Sequence, residues 1–200
     1  MSPNPDETQA RWSQYYKFAA GRPPREFLGR TLKRFPTAGL AIDLGCGTGP
    51  ETILLLDQGW QVLAIDQQEA AIQALRSSVS SGASDRLQTL MAPFETLDLP
   101  VADLIWVGLS LPFCHPDHFE TLWGKICSAL LPGGRFAGDF FGPRHAWSGQ
   151  KEMTFHTKEE VLTMCDGLQL EYLVEEEGEQ QTAQQGMQHW HMFTISARKL

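Results

Sequence analysis

Ten residues, Ala41-Ile42-Asp43-Leu44-Gly45-Cys46-Gly47-Thr48-Gly49-Pro50, run from an apolar stretch through an acid into three glycines at alternate positions. Such a stretch reads as a buried strand entering a loop whose backbone approaches a ligand. Glycine has no Cβ, accepts positive φ and leaves space against the main chain. Pro50 suits the first turn of a following helix, where its missing N–H costs nothing. A second acid follows, because Trp60-Gln61-Val62-Leu63-Ala64-Ile65-Asp66 reads as a strand closing on a carboxylate. It comes roughly twenty residues after the glycines, the separation at which an acid takes ribose hydroxyls in nucleotide-binding α/β folds. Asp66 is expected to accept from both hydroxyls. Asp43 has two readings, as the acid that fixes the glycine turn or as a partner for a ligand's ammonium, and both stay open.

The spacing excludes two ligands. A dinucleotide fingerprint places its third glycine three residues after the second, where this chain has Pro50. A phosphate-binding loop needs Gly-Lys-Ser/Thr, which does not follow. The segment resembles motif I of class I S-adenosylmethionine-dependent methyltransferases along its whole length. That resemblance implies S-adenosylmethionine as cofactor, S-adenosylhomocysteine as product, and a glycine loop against the amino-acid end of the cofactor. It assigns Asp43, Gly45, Cys46, Gly47, Thr48, Gly49, Asp66, Gln67, Phe94 and Ser110 to cofactor binding. Many relatives carry an aspartate after the third strand for the adenine amino group. This chain has Met91-Ala92-Pro93-Phe94-Glu95 there, which leaves adenine to main-chain groups, Phe94 or Glu95.

From Gly39 onward, strands and helices alternate as in a parallel sheet covered on both faces. The pattern predicts a strand over 40–44, a helix over 50–58 stopped by Gly59, a strand over 60–65 and a helix over 68–81 with Ile72, Leu75 and Val79 inward. Strands at Leu87 to Met91 and Asp103 to Val107 follow. A helix from Pro116 to Leu131 places Phe119, Leu122, Trp123, Ile126 and Leu130 on its core-facing stripe. Leu130-Leu131-Pro132-Gly133-Gly134-Arg135-Phe136 is similar to the segment that ends the fourth core helix of class I methyltransferases, proline stopping the helix and glycines turning the chain. A helix from Thr157, as N-cap, to Met164 precedes strands over Gln169 to Val174 and His189 to Arg198. Glu175, Glu176, Glu177 and Glu179 between them read as a solvated loop.

The implied fold is α/β: a Rossmann-like doubly wound sheet, mostly parallel, with a C-terminal antiparallel hairpin, the seven-stranded class I methyltransferase fold. Residues 1–36 read as a helical extension or lid and 37–200 as the cofactor-binding domain. In the extension, Thr8 to Ala20 carries Trp12, Tyr15, Tyr16 and Phe18 on a helical aromatic face, Gly21-Arg22-Pro23-Pro24 interrupts it, and a second helix begins near Arg25. The Tyr15-Tyr16 opening, the glycine loop and His189-Trp190-His191 make the chain similar to small methyltransferases of the tellurite-resistance and thiopurine types.

Methyl transfer from a sulfonium is an in-line displacement that needs alignment and exclusion of water more than a base. Acceptor contacts must lie at the C-terminal ends of the strands. Tyr15, Arg22, Phe113, Cys114, Asp139 and Trp147 are the substrate candidates there, and His115 and Tyr16 the catalytic ones. Ser110 and His145 border the same strand ends. Arg22 and Arg25 suit an oxyanion or carboxylate, although Arg25 in a helix's first turn also reads as a surface guanidinium. His189 and His191 alternate onto one face of the last strand and read as structural.

Composition narrows the partners. With 200 residues and 42% hydrophobic content, the chain can bury one good core. A formal charge of -8 and a pI near 5.2 give no electrostatic footprint for nucleic acid or anionic lipid, so a small-molecule methyl acceptor is expected. Cys46, Cys114, Cys127 and Cys165 are scattered, with no metal-binding spacing, and fit reduced thiols in a cytoplasmic compartment. The polar start and the interrupted apolar runs give no signal or membrane segment. A non-catalytic module that senses S-adenosylmethionine or its product is the alternative reading. A nicotinamide-dependent oxidoreductase is a further one, disfavoured by Pro50 and the terminal hairpin.

Overall fold

The computed structural model describes Trp12, residues 14–16, Ala19, and residues 21–182 and 186–200. Phe18, expected on the aromatic face of the first helix, lies outside the described residues, as do residues 1–11. Seven strands form one sheet: β1 (Leu40–Leu44), β2 (Gln61–Asp66), β3 (Leu87–Met91), β4 (Ala102–Val107), β5 (Leu130–Phe141), β6 (Leu168–Thr182) and β7 (Gly186–Lys199). Their order is β3-β2-β1-β4-β5-β7-β6. The first five are mutually parallel, and β7 runs antiparallel to both β5 and β6. This is the expected seven-stranded mixed sheet. Between β1 and β4 the chain order reverses, which opens a crevice at the strands' C-terminal ends.

Among the described residues from Glu26 onward, five α-helices cover the sheet: α1 (Glu26–Leu32), α2 (Pro50–Asp57), α3 (Glu69–Ser78), α4 (Pro116–Ala129) and α5 (Lys158–Met164). Alternating strand residues divide the core in two. Ala41, Val62, Ala64, Leu104 and Trp106 pack against Leu28, Leu55 and Leu75 of α1, α2 and α3. Ile42, Leu44, Ile65, Ile105 and Phe136 pack against Leu122, Trp123 and Ile126 of α4 and Val161 of α5. Because successive side chains on a strand point to opposite faces, a run that is apolar throughout must be buried on both sides.

Several expected boundaries move. Helix α3 ends at Ser78, and Val79 turns extended and stays half-buried. Helix α4 ends at Ala129, and Leu130 already pairs with Ala102, so Pro132-Gly133-Gly134 forms an irregularity inside β5 instead of a helix-to-strand turn. Gly134 is required there, since a Cβ would meet the Leu131, Asp103 and Ala102 carbonyl oxygens at 2.9, 3.0 and 3.2 Å. Thr157 caps α5 as expected, its hydroxyl accepting from the Glu160 amide, and the Glu160 carboxylate accepts from the Thr157 amide to complete a capping box.

The largest correction concerns the acidic run. Glu175, Glu176, Glu177 and Glu179 belong to β6, paired with Phe193, Met192, His191 and His189 of β7. A strand tolerates them because an arginine and two histidines meet them on the same edge. Arg144 donates to Glu177 at 2.8 and 2.7 Å and to Glu175 at 3.1 Å. His189 lies 3.0 Å from Glu177 and 3.1 Å from Glu179, and buried His191 lies 3.0 Å from Glu175. Arginine and imidazole partners that bind these carboxylates stabilise pairing that the composition alone argues against. Among the described residues no helix is long and apolar enough to cross a membrane.

Candidate active site

A cleft of about 380 Å³ opens over the C-terminal ends of the central strands. Its floor is the loop after β1. Gly45, Gly47 and Gly49 all take positive φ, 79°, 54° and 86°, a region in which a side chain is strained. The amides of Gly45 and Cys46 donate to the Ile65 carbonyl at 2.8 and 2.9 Å, pinning the loop to β2. A Cβ on Gly45 would lie 2.2 Å from the Ser110 Cβ, whose hydroxyl donates to the Leu44 carbonyl. One on Gly47 would project into the cleft, with only Tyr16 nearby at 3.6 Å. Gly49 caps α2 and packs against Leu75, 2.2 Å from where its Cβ would stand, and it does not border the cleft.

Asp66, at the end of β2, faces this loop. Its Oδ2 accepts from the Gly47 amide at 2.9 Å, and its Oδ1 accepts from the Gln68 amide at 2.9 Å and the Tyr16 hydroxyl at 3.3 Å. Burial raises its pKa, while these donors pull it back down. Asp43 is buried and accepts from the Thr52 hydroxyl at 2.6 Å. Burial, reinforced by the neighbouring Glu51 charge, pushes its carboxyl up to about 7. Cys46, Thr48, Gln67, Phe94 and Ser110 complete this half of the cleft, together with Ala92 and Glu95. Nine of the ten residues assigned to a cofactor therefore converge, Gly49 being the exception.

The other half is aromatic. Tyr15, Phe113 and Trp147 border it as expected, Phe113 lying 6.4 Å from Trp147 between ring centres. Trp190 and Met192, on one face of β7, and Gln180, Gln181 and Thr182, at the tip of β6, border it as well. None of these five was singled out as a contact from the sequence. The period-two alternation that would have announced a long hairpin is hidden in a run of glutamates and glutamines.

Four candidates stand elsewhere. Cys114 is fully buried and does not border the cleft, and burial pushes its thiol up to about 12, so it is no thiolate near neutrality. His115 caps α4, its Nδ1 accepting from the Asp117 amide at 3.2 Å, also outside the cleft. Asp139 is buried beneath the floor. Its Oδ2 accepts from the Leu109 amide at 3.1 Å and its Oδ1 from the Thr194 hydroxyl at 2.7 Å. It thus braces the loop after β4, where Leu109 holds φ 56°, the one positive φ outside glycine among the described residues. His145 is buried against Phe141, ring centres 4.0 Å apart, and burial drops its pKa to about 4.

Two candidates border the cleft with their polar atoms engaged. The Arg22 guanidinium grips buried Glu51 through two bonds of 2.7 and 2.6 Å, and Glu51 also accepts from the Arg25 amide at 2.9 Å. The Tyr16 hydroxyl is spent on Asp66, and burial raises its pKa far above the phenol value. It therefore sits at the Asp66 carboxylate and offers no base.

The model of a methyltransferase domain family matches residues 41–134, a little under half of the chain. A carboxy-S-adenosyl-L-methionine synthase from an Enterobacter species is 26% identical over 113 residues, 54% of this chain and 46% of that protein, so the chain spans about half the length of that relative. TehB from Haemophilus influenzae superposes with a TM-score of 0.75 at 15% identity, over 88% of this chain and 63% of TehB. The N-methyltransferase NodS from Bradyrhizobium japonicum, solved with S-adenosyl-L-homocysteine, gives 0.72 at 15% identity over 96% of this chain and 98% of NodS.

Proposed function

We propose that this chain, which matches a methyltransferase domain model over residues 41–134, is a class I S-adenosylmethionine-dependent methyltransferase and transfers a methyl group from S-adenosylmethionine to a small-molecule acceptor. The observation that carries the reading is the Gly47–Asp66 bond. It holds a carboxylate at one tip of the crevice against a left-handed glycine loop at the next. The residues fit the cofactor. Asp66 keeps acceptor capacity for ribose hydroxyls once Tyr16 withdraws, and Gly47 leaves the space a Cβ would fill. Asp43 and the loop main chain suit an amino-acid ammonium and carboxylate, and Phe94 with Ala92 offers a wall for adenine.

S-adenosylmethionine supplies a methyl group on a sulfonium, already activated for displacement. What the chain contributes is alignment and dryness. The glycine loop and Asp66 fix one reactant, and Tyr15, Phe113, Trp147 and Trp190 exclude water around the other. No histidine borders the cleft among the described residues, and the acids that do lie in the cofactor half or are taken by arginine. An acceptor that is already nucleophilic near neutral pH suits this lining.

The test is S-adenosylhomocysteine release over thiols, halides, selenite, tellurite, carboxylates and small amines, alongside calorimetric titration with S-adenosylmethionine and NADH. Turnover with one acceptor class, abolished in Asp66→Ala, is the expected result. Cofactor affinity without turnover on any acceptor selects the sensing module. Binding of NADH alone selects the oxidoreductase.

A further inference from the structure

Arg25 stands just before α1, between the Glu51 carboxylate that receives its amide and the sheet ends on which the aromatic half of the cleft is built. Its side chain borders the cleft, and its Nε is shielded from solvent with no hydrogen-bond partner among the described residues. A guanidinium carries five donors in a rigid fork and is seldom left without an acceptor where water is excluded. The nearby acids do not take it. Glu51 has both oxygens on Arg22 and the Arg25 amide. Asp139 spends its two oxygens on Leu109 and Thr194. Burial raises the Asp139 pKa and the nearby Arg25 charge offsets part of that rise, so the acid faces the cation without occupying its donors.

The surroundings say what would. Phe113, Trp147 and Trp190 present ring surfaces, and Gln150 and Gln180 present neutral amides. Aromatic faces favour a flat ring, and amides hydrogen-bond a ligand without contesting its charge.

We propose that the acceptor half of the cleft takes a flat aromatic anion, its ring against Phe113, Trp147 and Trp190 and its carboxylate or equivalent oxyanion on the Arg25 guanidinium. This rests on the methyltransferase reading for the role of the ligand as acceptor, though the binding itself does not. The sequence favoured Arg22 for an anion and left Arg25 to solvent, and the fold reverses the two. Arg22 is tied to Glu51 from both ends of its fork, while the Arg25 Nε is shielded from solvent with no acceptor among the described residues.

The test uses the full chain and three probes of one shape, 2-naphthoate, 2-naphthamide and 2-naphthylmethylamine. Each is titrated by quenching of tryptophan fluorescence, with and without saturating S-adenosylhomocysteine. The carboxylate is expected to bind on the order of tenfold tighter than the amide, as a charge-assisted bidentate bond requires. That preference should disappear in Arg25→Gln and persist in part in Arg25→Lys, with thermal melting confirming that both variants fold. Equal affinity for carboxylate and amide, a preference that survives in Arg25→Gln, or binding of none of the three overturns the proposal. Failure of S-adenosylhomocysteine to bind, with the naphthoate preference intact, overturns only the methyltransferase reading.

Discussion

The Tyr16 hydroxyl lies 3.3 Å from the Asp66 Oδ1 and donates to it, across fifty positions of sequence. The phenol therefore occupies a lone pair that the methyltransferase reading reserves for a ribose hydroxyl. A ligand that claims Asp66 must first displace Tyr16, and breaking a hydrogen bond to a charged group costs about 1.5–3 kcal/mol. Tyr16→Phe should bind S-adenosylhomocysteine roughly ten- to a hundredfold tighter by calorimetry. Weaker binding would mean that the phenol itself contacts the ligand.

Asp43 predicts a pH dependence of stability. Its carboxyl is pushed up to about 7, by burial first and the Glu51 charge second. The unfolded chain titrates this group near the ordinary carboxylate value of about 4. Between those values the folded state binds the extra proton, so the contribution is present at low pH and lost as pH rises toward 7. Asp43→Asn can still accept from Thr52 and carries no charge. Urea denaturation should find it more stable than the parent above pH 7, by up to about 4 kcal/mol, with the gap closing toward pH 4. A gap that does not change with pH would contradict the assignment.

Asp139→Ala should cost about 2–3 kcal/mol, because it leaves the Leu109 amide and the Thr194 hydroxyl without their acceptor. Releasing Leu109 from its left-handed conformation also frees Ser110, which is wedged against Gly45. Affinity for S-adenosylhomocysteine should fall together with stability, even though Asp139 does not reach the cleft. Unchanged ligand affinity in a destabilised variant would confine Asp139 to folding.

Gly49→Ala introduces a Cβ 2.2 Å from the buried Leu75 side chain at φ 86°. Strain in the left-handed region costs about 1–2 kcal/mol and overpacking about 1–3 kcal/mol. A loss of roughly 2–4 kcal/mol in chemical denaturation is expected. Gly21→Ala, which meets nothing within 4 Å at φ 75°, should show the strain alone and serves as the control.

The elements that the sequence by itself determined are those written in local pattern. Strands β1, β2 and β4 are apolar runs that only a two-sided core accommodates. Helix α4 carries its inward stripe from Phe119 to Ile126. The glycine loop announces itself because three positive-φ positions at alternate residues admit no other residue without strain. Asp66 was legible through its distance from that loop.

What only the tertiary structure decided depends on partners distant in sequence. The glutamates of β6 are strand residues because Arg144 and two histidines of β7 meet them, and no window of sequence contains those contacts. Trp190 and the hairpin tip reach the cleft only once β6 and β7 pair along their length. Asp139, Cys114 and His115 follow strand ends where ligands bind, yet a strand end has an inside and an outside. Which side chain turns toward the cleft is set by packing in three dimensions, not by position along the chain. Arg22 and Arg25 make the same point at shortest range: three residues apart and alike in chemistry, they diverge because Glu51 reaches one guanidinium and only the other's amide.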